Sequence, residues 1–202
     1  MTVSTAELGL RERKKAATRQ ALYEAAVRLA LEHGLDRTTV EAIADEAGVS
    51  RRTFSNYFAG KEEALLYGEH QRVQALVEMV RARPEDETAW VALNRAAENF
   101  YRQLGELDPA QLSQWRLVRA QPSLVAAQVQ TFAALERELA AEVGTRLPDS
   151  GADPIRARLT AAAFLAALRV ALHMWLDHPV DGRPLWDLVQ RALDEAGRGF
   201  DR

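Results

Sequence analysis

The chain has 202 residues, 48% of them hydrophobic and 27% charged, with a formal net charge of −3 and no cysteine. That length exceeds one small domain and suits two units with their own cores, while the missing cysteine excludes disulfides, thiolate metal sites and thiol nucleophiles. Cysteine usage and an N-terminus without a secretory signal pattern lead us to expect a cytoplasmic protein.

Positive charge is concentrated near the start of the chain. Residues 1–61 hold ten Lys and Arg against eight Asp and Glu, whereas the remainder holds 16 against 21. Residues 1–9 are expected to be mobile. A cationic arm follows them, with Glu12 as its nearby acid, and it consists of Arg11, Arg13, Lys14, Lys15 and Arg19. Charge of this kind favours an anionic partner.

Two short amphipathic helices joined at Gly48 are predicted next. Thr38 and Glu41 have capping-box spacing, so we expect the first of these helices to begin at Thr38. Its apolar stripe of Val40, Ile43, Ala44 and Ala47 ends at Gly48, a residue that adopts the left-handed backbone cheaply. Ser50 can cap the second helix, predicted over 51–58.

The second helix has one apolar and one polar side. Phe54 and Phe58 lie four residues apart and can pack on the first helix, with Val49 just before the cap. The other side carries Arg51, Arg52, Ser55 and Asn56, with Thr53 at its edge. Arginine can bind phosphate or guanine and asparagine can pair with adenine, so this arrangement indicates a helix-turn-helix that reads the major groove of DNA. A hairpin with a merely solvated polar face is the alternative.

These residues resemble the TetR family of bacterial transcriptional regulators. The resemblance covers about the first third of the chain and rests on its first helix ending at Leu29 to Gly34, TTV at Thr38 to Val40, IADEAGVS at Ile43 to Ser50, RTF at Arg52 to Phe54, and YF followed by KEEAL from Lys61. The chain departs from the family pattern at Ser55, where an aromatic is common, and at Ala30, where Phe is common.

The resemblance implies a homodimer with a DNA-binding domain over 1–61 and a ligand-binding and dimerisation domain over 62–202. It assigns phosphate contacts to Thr39, Tyr57 and Lys61. The full set of expected DNA-binding residues is Thr39, Ser50, Arg51, Arg52, Thr53, Ser55, Asn56, Tyr57 and Lys61. Phosphate contacts fix the register of the protein on the duplex, and base contacts give sequence preference.

Beyond Lys61 the pattern is helical and contains no strand signal. Helices are predicted over 62–83 and 85–104, from Pro109 to about Arg119, from Pro122 to a break at 147–151, from Pro154, and from Pro184. The predicted class is therefore all-α, with about nine helices and an N-terminal three-helix DNA-binding domain.

The last two helices are the expected dimer surface. Small residues give the penultimate helix a face that a partner can approach closely, and Trp186 lies beside the apolar stripe of the final helix. The stretch 159–176 is long and apolar, but Arg169 near its middle would cost about 2.5 to 3.5 kcal/mol in a bilayer. We therefore expect a buried helix and no membrane. A core within one chain is the alternative to dimerisation.

Aromatic residues of the body can line a cavity for a hydrophobic or aromatic ligand. The candidate set is Trp90, Phe100, Trp115, Gln128, Phe132, Phe164, Arg169 and His173, in which Gln128, Arg169 and His173 would orient the ligand. Each of these residues could instead simply pack in the protein core and contact no ligand.

The sequence favours a ligand-responsive repressor that is not an enzyme. Its four histidines form no i, i+4 pair, no G-x-S-x-G elbow occurs, and no metal site or cofactor is expected. Two alternatives remain: a dimeric architectural DNA-binding protein that responds to no ligand, and an all-helical enzyme.

Overall fold

A computed structural model describes residues 5–105, 109–147, 153–177 and 184–198 of the chain. These residues form helices joined by short turns, and none of them lies in a strand, which confirms the all-α class. The elements are α1 (Thr5–His33), a 3-10 turn (Leu35–Arg37), α2 (Val40–Glu46), α3 (Arg51–Ser55), α4 (Lys61–Arg81), α5 (Ala89–Leu104), α6 (Pro109–Ala120), α7 (Pro122–Gly144), α8 (Pro154–Asp177) and α9 (Leu185–Gly197).

The chain divides into two compact units whose limits differ from a simple cut after residue 61. The first unit comprises Met1–His70 and Asp108–Gln128, and the second comprises Gln71–Leu107 and Val129–Arg202. Residues 62–70 and the helix α6 therefore belong with the N-terminal helices. Both α4 and α7 pass from one unit to the other.

Helix ends follow local capping chemistry. Pro154 opens α8 as predicted, and the amide of Ile155 donates to Oδ1 of Asp153 over 2.8 Å. Helix α5 begins at Ala89 rather than near residue 85, because Thr88 is its N-cap and accepts from the amide of Val91. At the other end of the chain, α1 already begins at Thr5, within the segment expected to be mobile.

The core of the first unit is built from α1, α2, α3 and the start of α4, with Val118 of α6 and Leu124 of α7 buried in the same cluster. Leu22, Ile43, Phe54 and Leu65 are all fully buried in it. Ala30 is buried in the same cluster, with Leu29 packed against it, so a small side chain fills the place where the family commonly has a phenylalanine. Burial of each large apolar side chain contributes about 1.5 to 3 kcal/mol.

The core of the second unit is centred on α8 and α9, which pack along each other. Phe164 of α8 and Val189 and Leu193 of α9 are fully buried, and Leu93 of α5 is buried with them. The apolar stripe predicted for the final helix, which includes Leu185, Val189 and Leu193, is thus satisfied within one chain.

Helix α8 is buried on one side only. Its other side exposes a row of apolar side chains, Ile155, Leu159, Val170 and Met174, together with Arg169. The expectation of a wholly buried helix is therefore wrong for this side. In the part of the chain that the structure describes, α8 is also the one helix that is long and apolar enough to cross a membrane, a test that core helices of soluble proteins pass as well.

Candidate nucleic-acid interface

The first helix of the predicted pair, α2, begins one residue later than the capping-box spacing suggests. Thr39 is the N-cap, and its hydroxyl oxygen accepts from the amide of Ala42 over 3.1 Å. Thr38 is buried instead, and its hydroxyl donates to the carbonyl of Gly34 over 3.0 Å. The Thr38–Glu41 capping box is therefore wrong, because tertiary burial of Thr38 leaves the neighbouring hydroxyl to cap the helix.

The turn between α2 and α3 has the predicted backbone. Gly48 has a φ of +68°, which L side chains rarely adopt, and the amide of Val49 donates to the carbonyl of Ala44 over 2.9 Å. Ser50 then caps α3 by accepting from the amide of Thr53 over 3.1 Å. The turn and the cap together set the direction in which α3 leaves α2.

Helix α3 is held by its apolar side. Phe54 and Phe58 are buried in the core of the first unit, with their ring centroids 5.8 Å apart. The helix itself ends at Ser55, earlier than the predicted residue 58, and Asn56 is its C-cap in a helical conformation. Phe58 nevertheless stays in the core because the backbone continues with the amide of Phe58 donating to the carbonyl of Phe54.

The polar side of α3 faces solvent. Arg51, Arg52, Ser55 and Asn56 are all exposed, and Thr53 at the edge is half-buried with its hydroxyl 2.9 Å from that of Ser50. Arg51 is not equivalent to Arg52, because its Nη1 lies 3.0 Å from Oε1 of Glu41 on α2. The exposed side chains can donate to phosphates and to the edges of bases.

Lys61 has two partners within the chain. Its ammonium donates to the carbonyl of Leu35 over 2.8 Å and to the carbonyl of Thr38 over 3.0 Å. Both acceptors lie in the connection between α1 and α2, so the side chain joins the start of α4 to that connection. A phosphate contact, expected from the resemblance, would use the remaining N–H of this ammonium group.

Arg19 differs from the other cations of the N-terminal arm. Its guanidinium carbon lies 5.8 Å from the ring centroid of Tyr57, 5.9 Å from that of Phe58 and 5.7 Å from that of Tyr67, distances typical of cation–π contacts. Arg19 is therefore partly buried and belongs to the packing of the first unit. The arm cations at positions 11 and 13–15 are exposed, so Arg19 is set apart from them.

Two families of known proteins match the chain. Residues 22–67 match the family described as bacterial regulatory proteins, tetR family, and residues 87–201 match that of the MftR C-terminal domain. The chain is also 32% identical over 193 residues to the HTH-type transcriptional regulator TcmR of Streptomyces glaucescens, covering 92% of this chain and 85% of TcmR. The chain belongs to the TetR family. It is a DNA-binding transcriptional regulator, and its family resemblance at residues 38–61 is confirmed.

Solved structures show the same fold. This TetR-family chain is similar to SmeT in its complex with triclosan, with a TM-score of 0.61 and 23% identity over 91% of each chain. It is also similar to FadR of Thermus thermophilus in complex with lauroyl-CoA, with a TM-score of 0.55 and 22% identity over 88% of this chain and 92% of that one.

Some residues expected to bind a ligand in this TetR-family regulator meet in the second unit. The rings of Trp90 and Phe164 lie 6.4 Å apart in an edge-to-face arrangement, and both are buried. A Cβ built on Gly197 would lie 2.2 Å from Nε1 of Trp90, so only glycine permits this approach of α9 to α5. Phe100 and Phe132 of the same unit are half-buried.

The other expected ligand residues lie elsewhere. Trp115 and Gln128 belong to the first unit, where Nε2 of Gln128 donates to Oε1 of Glu69 over 2.6 Å. Arg169 and His173 are exposed on α8. The eight predicted residues are therefore divided between the two units, and their helical spacing carried no information about which unit each would join.

Two grooves of the second unit are open to solvent. The larger, about 520 Å³, is lined by Trp90, Val91, Asn94, Arg95, Asp194 and Gly197. The smaller, about 300 Å³, is mostly apolar and is lined by Ala140, Ala141, Gly144, Leu147, Asp153, Pro154, Ala157 and Arg158. No group of His, Asp or Glu in the described part of the chain could hold a metal ion.

Two residues that join helices within the units, Gln114 and Tyr101, were not predicted from the sequence. Gln114 of α6 is buried, accepts from Tyr23 and donates to the carbonyl of Leu65 over 3.1 Å. Tyr101 of α5 packs on Trp186, with the centroids 5.9 Å apart, and burial raises the pKa of its phenol. Trp186 thus packs within the chain rather than lying open beside the α9 stripe. The signal available for Gln114 was a glutamine at a core-facing position of a helix, because a buried polar side chain needs hydrogen-bond partners.

Proposed function

We propose that the chain is a homodimeric repressor that binds a pseudo-palindromic operator through the polar side of α3 and is released by a small hydrophobic or aromatic ligand. The observation that carries this proposal is the two-sided packing of α3. Phe54 and Phe58 fix the helix to the core, while Arg52, Ser55 and Asn56 remain exposed. A rigid helix with an open donor-rich side is what insertion into the major groove requires.

Within this site the residues divide by role. Arg52 and Asn56 are exposed and can make bidentate contacts with guanine and adenine, with Ser55 between them in sequence. Arg51 also faces the groove, but its ion pair with Glu41 limits the directions in which the guanidinium group can turn. Thr53 completes the groove-facing set, and Thr39, Tyr57 and Lys61 bind phosphates, which sets the register.

The dimer forms through α8 and α9. The exposed apolar row of α8 is unpartnered in the single chain, with Leu159 exposed by 57% and Val170 by 48%. An apolar face of this kind on a regulator is explained by a second copy of the same face, because a two-fold axis makes it self-complementary. Two copies then present two α3 helices to half-sites about 34 to 36 Å apart.

The effector binds in the second unit. Its aromatic side chains include the Trp90–Phe164 pair and a second group formed by Phe100, Tyr101 and Trp186. Related structures include SmeT with triclosan and FadR with lauroyl-CoA, which supports a ligand of largely apolar chemistry. The protein acts in the cytoplasm, where operator and effector meet.

The DNA-binding part of the proposal is tested by selecting fragments from a genomic pool with the purified protein and sequencing them. A shared motif with two-fold symmetry is expected. Arg52→Ala should then weaken binding to the selected duplex by about 1 to 3 kcal/mol and leave binding to a random duplex nearly unchanged. Arg116→Ala, at an exposed position of α6, is the control. Equal losses for Arg52→Ala on both duplexes would remove its assigned base contact.

The effector part is tested by titrating the selected duplex with and without a candidate apolar ligand. Because coupling is reciprocal, a ligand that lowers operator affinity must itself bind less tightly to the operator complex by the same factor. A ligand that binds the second unit without changing operator affinity would favour the architectural, ligand-independent alternative.

A further inference from the structure

The N-terminal part of α1 is a charged helix that stands ahead of the packed core. Helix α1 starts at Thr5, and from Gly9 onward Leu22 is the first of its residues that is fully buried. Between them, residues 10–17 are all exposed. Four of these eight residues are basic and one is acidic: Arg11, Arg13, Lys14 and Lys15 against Glu12. A protein of net charge −3 therefore carries a strongly positive rod at this end.

The basic residues of this rod do not all face the same way. Arg11, Lys15 and Arg19 follow one another at a spacing of four, so they form a single row along the helix. Arg13 lies two residues from Arg11, about 200° around the helix from it, and therefore on the opposite side. The Nε of Arg13 donates to the carbonyl of Gly9 over 3.2 Å.

The row leads to the edge of α3. Its last member, Arg19, contacts the rings of Tyr57 and Phe58, which immediately follow the C-cap of α3. Lys15 and Arg11 lie about 6 Å and about 12 Å further along the axis of α1, on the same side of the helix. Their exposed ammonium and guanidinium groups thus extend from the point at which Tyr57 borders the polar side of α3.

We propose that Arg11 and Lys15 form a second phosphate-binding surface that continues the α3 interface beyond Tyr57. This inference rests on the proposed operator binding. The occupant is the phosphodiester backbone of the duplex that α3 reads, outside the groove that α3 enters. Arg19 does not bind phosphate in this arrangement; it fixes the direction of the row by anchoring α1 on Tyr57, Phe58 and Tyr67.

Phosphate contacts have a distinct signature, because they carry no sequence information and release counterions. Affinity falls as salt concentration rises, and each contact makes the plot of log affinity against log salt concentration steeper by about 0.9. Loss of one such contact per protomer should therefore make this plot shallower by about 0.9 per protomer, or about 1.8 for a dimer. Binding should weaken by a similar factor on the selected operator and on a random duplex.

The experiment compares Arg11→Gln, Lys15→Gln and Arg13→Gln in the full chain, with affinities measured by fluorescence anisotropy over a range of KCl concentrations. Each substitution removes one positive charge from an exposed residue of the same helical segment. The probes are a random-sequence duplex of about three helical turns and the duplex selected from genomic DNA. Circular dichroism checks that each variant keeps its helix content.

The expected result is a shallower salt dependence of affinity for Arg11→Gln and Lys15→Gln on both duplexes. Arg13→Gln should keep a slope close to that of the wild type. Equal reductions for all three variants would overturn the proposal, since they would indicate long-range attraction rather than a docked row. Wild-type slopes for all three variants would overturn it as well, while leaving the proposed function intact. A wild-type protein that binds neither duplex would overturn both proposals.

Discussion

Tyr23 of α1 donates its phenolic hydrogen bond to Oε1 of Gln114 in α6, over 3.1 Å and across 91 residues of sequence. The amide of the same glutamine donates to the carbonyl of Leu65 in α4. One buried side chain therefore joins three helices of the first unit, and it does so with both ends of its amide. Because Gln114 is only 4% exposed, water does not readily replace these partners.

Replacing Gln114 with leucine should destabilise the protein by about 1 to 3 kcal/mol, because the hydroxyl of Tyr23 is left buried without its partner. Tyr23→Phe should cost less, and the double variant should cost less than the sum of the two, with a coupling of about 0.5 to 3 kcal/mol. Urea unfolding measures these values. Gln103→Leu, at an exposed position of α5, is the control, and additive single effects would show that the hydrogen bond is not formed.

Gly68 of α4 is the second residue that holds Tyr23 in place. A Cβ at this position would lie 2.3 Å from the Tyr23 oxygen, so Gly68→Ala must displace a ring that is tied to Gln114. We expect a loss of about 1 to 3 kcal/mol from overpacking. In Gly144→Ala the new methyl meets only the Cβ of Ala157 at 4.0 Å, and stability should rise by about 0.4 to 1 kcal/mol. Thermal unfolding separates the two, and a neutral Gly68→Ala would contradict the tight approach.

Features set by neighbouring residues could be predicted from the sequence. Gly48 has the expected positive φ, Ser50 caps α3, and Phe54 and Phe58 face the core, because turn conformation, capping and amphipathic spacing are all local. A local error, Thr38 in place of Thr39, came from two adjacent hydroxyls that fit the same pattern. Burial of Thr38 decided between them.

Features set by distant residues could not be predicted. Arg19 looked like any other cation of the arm until the rings of Tyr57, Phe58 and Tyr67 were found around it. The division of the expected ligand residues between the two units was missed for a related reason. Helical spacing shows which residues share a face of one helix, but it does not show which helix packs against that face. Trp90 and Phe164 meet across α5 and α8, and Gly197 of α9 approaches the Trp90 ring closely.

The pH dependence of stability should reveal the ion pairs that Glu87, in the connection between α4 and α5, makes with Arg83 and Arg95. The pKa of Glu87 is lowered from its ordinary value of 4.5, chiefly by the hydrogen bond from Arg83 and further by the charges of Arg83 and Arg95. A carboxyl group whose pKa is lowered by folding stabilises the folded state at pH values above its pKa in the unfolded chain. That contribution is lost as the pH falls below 4.5 toward the pKa of the folded state.

Wild type and Glu87→Gln should therefore differ most in unfolding free energy near neutral pH and should converge below pH 4.5. Glu85→Gln, at an exposed position of the same connection, is the control for the loss of one carboxylate. Urea unfolding at a series of pH values makes the comparison. A difference between wild type and Glu87→Gln that stays constant with pH would show that Arg83 and Arg95 do not stabilise the ionised carboxylate.

The proposed dimer predicts a strong effect of charge on the exposed row of α8. Val170→Glu should shift the protein from dimer to monomer in analytical ultracentrifugation, because an interface would bury the carboxylate without a partner. Val129→Glu on α7 introduces the same charge at a residue that is 63% exposed and lies outside the last two helices, and it should leave the dimer intact. A dimeric Val170→Glu protein would place the interface elsewhere.

Lys61 offers a test of whether a cation at the interface supports the fold or only binds DNA. Its ammonium donates to the carbonyls of Leu35 and Thr38, so Lys61→Met should lower the unfolding free energy by about 1 to 3 kcal/mol in the absence of DNA. Lys15→Met removes an exposed ammonium and should leave unfolding unchanged. If Lys61 only bound phosphate, Lys61→Met would unfold like wild type and lose affinity equally for all sequences. A less stable variant would instead lose affinity because the connection that precedes α2 is no longer tied to α4, and with it the position from which α3 is presented.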